Sequence, residues 1–203
     1  GCQTTEPPTL EGAFADIKVH ESSVNSFLTQ LDLAGRTFTP DEARDFIADR
    51  LNKPKIKEIE IEESELSFTF TDADPVTVRF FEDRICLTLR LANLTLGQKS
   101  WDDVETEIMY RPTQTPDGKF TFMRDGVIAL YGPASVMEQI PIRTVFSKIF
   151  PAQKAVDINA NTMSKDERFA GLAFGLCRVS RGWFAISVIR DPRFRLELDK
   201  TYL

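Results

Sequence analysis

The sequence predicts an α+β fold in which a long, curved antiparallel meander packs against amphipathic helices. Three observations carry that expectation. Residues 66–131 repeatedly alternate apolar and polar side chains, as strands do when one face is buried and the other wet. Segments around 24–31, 43–51 and 142–150 instead repeat apolar residues at helical spacing, the pattern of helices with one apolar face. Turn signals at 72–75, 117–118 and 124–126 punctuate the alternating region, as hairpins require.

Residues 1–12 read as a flexible tether and 13–203 as a single domain. Residues 16–20 alternate enough for a short strand. Val24, Phe27, Leu28 and Leu31 fall on one helix face, with Ser22 or Ser23 as the cap and Gly35 beyond the end. The next helix has the clearest start signal: Thr39 as N-cap, Pro40 at the first position and Glu42 at the third. That is a capping box, with Phe38 and Ala43 placed for the hydrophobic staple. Ala43, Phe46, Ile47 and Leu51 make its stripe, and Asn52 and Pro54 stop it.

Strand-like alternation then covers 58–62, Leu66/Phe68/Phe70, Val76/Val78/Phe80, Ile85/Leu87/Leu89/Leu91 and Val104/Ile108/Tyr110. In the fourth run the leucines are expected inside, with Cys86, Thr88 and Arg90 on the wet face. Asp117-Gly118 turns a hairpin into Phe120 and Phe122, and 127–131 is a further strand. Gly132-Pro133 breaks the sheet. A helix is expected from near Pro141, with Ile142, Val145, Phe146, Ile149 and Phe150 on one face and Pro151 ending it. Residues 152–168 read as irregular. Strands at 172–179 and 183–189 flank Ser180-Arg181-Gly182, and Asp191-Pro192 leads to a last one at 194–198.

The 203 residues suit one domain, and 42% hydrophobic with 28% charged residues is ordinary globular composition. Phenylalanine stands out, with 16 against 3 Tyr and 2 Trp. Such rings pack a core or line an apolar pocket. A net charge of −6 disfavours a nucleic-acid partner, which would require a basic stripe. The local excess at Arg178, Arg181, Arg190, Arg193 and Arg195 is scattered rather than clustered. No apolar run approaches a membrane span of about 20 residues.

The chemistry on offer is sparse. Cys2, Cys86 and Cys177 form no C-x-x-C pair, which disfavours a zinc ribbon or a dithiol redox site. Cys86 and Cys177 sit in apolar strand-like runs, as buried thiols do. The single His20 excludes paired-histidine metal sites, and its neighbours Glu21, Ser22 and Ser23 suit helix capping better than nucleophilic catalysis. No nucleophile-elbow, phosphate-loop or dinucleotide fingerprint is present. Asp102, Asp103, Glu105 and Glu107 could supply paired carboxylates. On a strand Asp103, Glu105 and Glu107 point to the side opposite Val104 and Ile108, so they read as a solvent face, with Arg84 and Arg90 placed to pair across to them. No loop carries the spaced oxygens of a calcium site. No catalytic residue, metal or cofactor is expected.

The order of elements resembles the tubular lipid-binding superfamily, the BPI-like or TULIP fold, and within it the small bacterial envelope lipoproteins. The resembling stretches are the helix start Ser22-Ser23-Val24-Asn25-Ser26-Phe27-Leu28, the hairpin at Asp117-Gly118, the helix 142–150 and the strand Gly182-Trp183-Phe184-Ala185-Ile186. The likeness is one of layout over about residues 15–190, and the capped helix 39–51 has no place in it. The resemblance implies a non-catalytic exported protein that holds a lipid or other apolar ligand between sheet and helix. Phe120, Phe122, Phe146, Phe150 and Trp183 are the expected lining. Cys2, followed by a Thr/Pro/Glu-rich stretch, fits the lipidated cysteine of a periplasmic or membrane-anchored lipoprotein. It fits equally a residue left behind a cloning-derived glycine, with a cytoplasmic location open. The competing function is a structural or protein-interaction domain of the bacterial envelope whose phenylalanines simply fill its core.

Overall fold

The computed structural model describes residues 6–50, 66–114, 120–156 and 171–190. They form β1 (Ala15–His20), α1 (Glu21–Thr29), β2 (Thr37–Phe38), α2 (Pro40–Arg50), β3 (Leu66–Phe70), β4 (Val76–Phe81), β5 (Arg84–Leu96), β6 (Lys99–Gln114), β7 (Phe120–Arg124), β8 (Ala129–Tyr131), α3 (Val136–Ile149), β9 (Gln153–Val156), β10 (Leu172–Ser180) and β11 (Trp183–Arg190). The fold is α+β and dominated by antiparallel sheet. Cys2, the stripe residue Leu51, the stop signals Asn52 and Pro54, the alternation at 58–62, the turn Asp117-Gly118, residues 157–168 and the strand expected at 194–198 lie outside the described residues.

The β5–β6 hairpin is the spine, with strands of 13 and 16 residues. β3 and β4 lie one after the other along the outer edge of β5, and β7 and β8 do the same along β6. β2 extends the sheet beyond β3 and β9 beyond β7. The path is therefore not a simple meander: two strands share each long edge. Nor do the closing strands join this sheet. β10 and β11 pair with β1 in a separate three-stranded sheet, order β1-β11-β10. Backbone bonds from Gly182 N–H to Phe80 O and from Asp83 N–H to Val179 O, both 3.0 Å, tie the two sheets together.

The alternation in β5 holds on its inner face, where Leu89 and Leu91 are buried and Ile85 and Leu87 half-buried. At Ala92 the ladder with β3 slips by one residue, from Thr69↔Asn93 to Phe70↔Leu91. Beyond this bulge even-numbered residues take over, and Leu94 is buried. Asp103 on β6, at a left-handed φ of 53°, makes the matching change, so Trp101 and Val104 both face inward. The irregularities lie opposite one another and leave the β5–β6 register intact. Such bulges bend strands. The outer face of β5 corrects the expectation of a wet surface, because Cys86 is 2% and Thr88 5% exposed. Their ladder neighbours are Arg79 and Met109 for Cys86, and Glu107 beside Thr88. Long side chains thus shade short ones in the central strand. Arg90 pairs with Glu105 at 3.0 Å as expected, but Arg84 does not reach the β6 carboxylates. It and Arg111 both bind Asp125, each at 3.1 Å.

α1 guards an edge. The Asn25 amide donates to Val78 O at 2.9 Å and accepts from Val78 N–H at 2.7 Å, while the Glu21 carboxylate accepts from Phe80 N–H at 2.8 Å. Side chains thereby occupy backbone groups that an exposed strand edge would leave open. Val24 and Leu28 pack against Val78, Phe80 and Val179. The helix begins before Ser22, so His20 is its N-cap and accepts from Ser22 N–H through Nδ1 at 3.2 Å.

α2 has the expected capping box. Thr39 N–H donates to the Glu42 carboxylate at 2.8 Å and Glu42 N–H to Thr39 Oγ1 at 3.3 Å. α3 starts at Val136, five residues before Pro141, which lies inside it. The cause is a second Ser-x-x-Glu start: Glu138 accepts from Ser135 N–H and Oγ at 2.9 and 2.7 Å. Those bonds, then Lys99 at 2.9 Å, hold the Glu138 carboxyl down to about 2. Residues 153–156, read as irregular, instead form β9 on β7.

The small sheet carries residues 6–10. Arg178 pairs with Asp16 at 2.8 Å, a carboxylate 1% exposed, and donates to Pro8 O at 3.2 Å. Leu10 N–H donates to the same Asp16 oxygen at 3.1 Å.

Candidate functional site

Between the three helices and the inner face of the sheet the packing leaves a cavity of about 250 Å³. Each wall follows from a sequence pattern. The strand alternation brings Phe68, Phe70, Val76, Leu87 and Leu89 to its floor. The capping box of α2 fixes a helix whose stripe of Ala43, Phe46 and Ile47 forms one side. Phe27 and Leu28 of α1, with Leu31 and Leu33 after it, form another. Ile149 and Phe150 close the far end.

That far end is held firmly. Arg124 on β7 donates to Phe150 O at 2.8 Å and Ser147 Oγ at 3.2 Å, where a cation suits the carbonyls at a helix C-terminus. Tyr110 Oη donates to Pro151 O at 3.1 Å.

Among the described residues the wall presents only carbon, and Arg50 is the one charged residue that borders it. Its guanidinium sits 5.2 Å from the centre of the Phe46 ring, and that of Arg36 5.0 Å from the same ring. Cations over aromatic faces are stabilised by the ring quadrupole. Phe27, 54% exposed, and Ile47, 36% exposed, mark the mouth. Aromatic contacts brace the interior: Phe38 meets Phe46, Phe68 and Phe70 at 5.5, 6.3 and 5.9 Å.

The five residues expected to line a site do not converge. Phe150 lines the cavity. Phe146 lies just behind it, fully buried, stacked on Phe150 at 6.3 Å and near Phe68 at 5.7 Å. Phe120 is buried on β7 away from the lining. Phe122 contacts Phe184 at 6.3 Å, and Trp183 meets His20 edge-on at 4.9 Å. The decisive lining comes instead from α1 and α2. The signal was legible in Phe27, Phe38, Phe46 and Ile47, grouped around the capped helix, but that helix had no place in the resembling layout.

Other groups with chemical potential are engaged elsewhere. Cys86 and Cys177 are free thiols, and burial pushes both up, Cys177 to about 12, away from the nucleophilic thiolate. Asp102 accepts from Asn93 at 2.8 Å and Glu107 from Tyr131 Oη at 3.1 Å. Among the described residues no group of three His, Cys, Asp or Glu side chains could hold a metal ion. No helix of the described residues is long and apolar enough to cross a membrane. No protein-family model matches the chain, and no curated protein matches it.

Proposed function

We propose that this chain is a binding protein that takes up a small apolar molecule, or the apolar tail of a larger one, in the cavity walled by α1, α2 and the end of α3. The observation that carries the reading is the cavity's all-carbon wall. Natural cores leave few voids larger than a water molecule, and an empty one of this size forfeits packing energy. An engineered cavity of about 150 Å³ lined by such side chains stays dry and takes up benzene. By volume, about 250 Å³ suits about ten carbons. Among the described residues the lining offers no acid, base or nucleophile, which favours recognition over catalysis. The layout likeness to tubular lipid-binding proteins, export, and anchoring through Cys2 belong to the same proposal.

Titration of the labelled protein with 1-octanol, followed by heteronuclear NMR, tests it. Saturable one-to-one shifts centred on Phe38, Phe46, Leu89 and Phe150 are expected. Shifts that do not saturate, or that scatter over the surface, would overturn the reading and leave the structural or interaction domain.

A further inference from the structure

Resting on that reading, we infer that the site selects an anionic amphiphile, a medium-chain monocarboxylate or its equivalent, with Arg50 receiving the charged head at the rim. A ligand held by carbon alone would be chosen by size and shape only. Among the described residues this cavity has one charged residue on its border, Arg50. Arg50 ends α2, directly after the stripe that walls the cavity. Because the wall presents only carbon, Arg50 contributes its methylene stem to it and carries its guanidinium outside, over the Phe46 ring. A long cationic side chain commonly divides itself in this way.

Phe46 is the link between tail and head. Its ring lines the cavity and also meets the guanidiniums of Arg36 and Arg50, at 5.0 and 5.2 Å. Two cations thus share one ring at the boundary between cavity and solvent. An alkyl chain lying beside Phe46 would bring a terminal carboxylate out next to them. Guanidinium N–H groups match carboxylate oxygens in charge and in planar geometry. A neutral alcohol gains only the tail contacts, and an ammonium head meets like charge. The rim is exposed, so the head contributes a modest preference that salt screens. The apolar wall supplies most of the affinity.

Calorimetric titration of the whole chain with octanoate, 1-octanol and octylammonium at low salt tests the inference. Octanoate should bind about three- to fivefold more tightly than octanol, and octylammonium most weakly. The preference should shrink at high salt. In Arg50→Gln, the ratio of octanoate to octanol affinity should fall to about one, whatever small change the lost ring contact makes to both. Octanol binding as tightly as octanoate to the wild type would overturn the charge selection while the cavity reading stands. A preference that survives Arg50→Gln would overturn the role of Arg50. Failure of all three probes to bind would overturn the cavity reading itself.

Discussion

Filling the cavity from its own wall should make the protein more stable, the reverse of what overpacking a filled core does. Ala43 is buried on α2 and lines the cavity. Ala43→Leu adds three carbons, and each buried methylene is worth about 0.8 kcal/mol, giving about 2.4 kcal/mol. Fixing the leucine rotamer offsets about 0.5–1 kcal/mol of that. Helix propensity barely changes. The net expectation is about 1.5–2 kcal/mol of added stability, read from the urea midpoint at unchanged slope. Three carbons fit within 250 Å³ without displacing Phe46 or Phe70. The same variant should lose octanol affinity at least tenfold. If the space were already filled by side chains, the leucine would force them off rotamer at a cost of about 1–3 kcal/mol. A midpoint lower than wild type would therefore show that the space is already filled.

Three further outcomes follow from individual contacts. Asn25→Ala removes both bonds to the part-buried Val78 backbone and should cost about 1–2 kcal/mol, measured by denaturant unfolding. Thr106 is fully buried with its hydroxyl unpartnered, so Thr106→Val should raise stability by about 1 kcal/mol, read from the same melts. Glu138 is held below its ordinary value by Ser135 and Lys99, at about 2. Its contribution is therefore full above the unfolded value near 4.5 and fades as pH falls toward 2. The stability gap between wild type and Glu138→Gln should be constant above pH 5 and close below it.

The strands were legible because the sequences of β3, β4 and β5 as far as Leu91 alternate apolar and polar residues, and the start of α2 because Thr39 and Glu42 form a box that local chemistry alone specifies. Long-range arrangement was not. Nothing in 172–190 says that those strands pair with β1 rather than with the large sheet, a choice set by register across the whole chain. The early start of α3 is set by the box of Ser135 and Glu138, which Pro141, a residue common at the first helical position, masks in the sequence. The burial of Cys86 and Thr88 depends on which long side chains flank them across the ladder, and so on pairing. The cavity is hidden for the same reason. Phenylalanines from α1, β2, α2 and β3 line it together only once three helices have been placed on one sheet face.

The most direct measurement of the central claim is a crystal structure of the protein grown with octanoate. An alkyl chain is expected between Phe46 and Leu89, running toward Phe150, with its carboxylate at the rim beside Arg50. Side chains closed inward over that space, with octanoate absent from it or bound elsewhere, would show that the cavity is not a binding site.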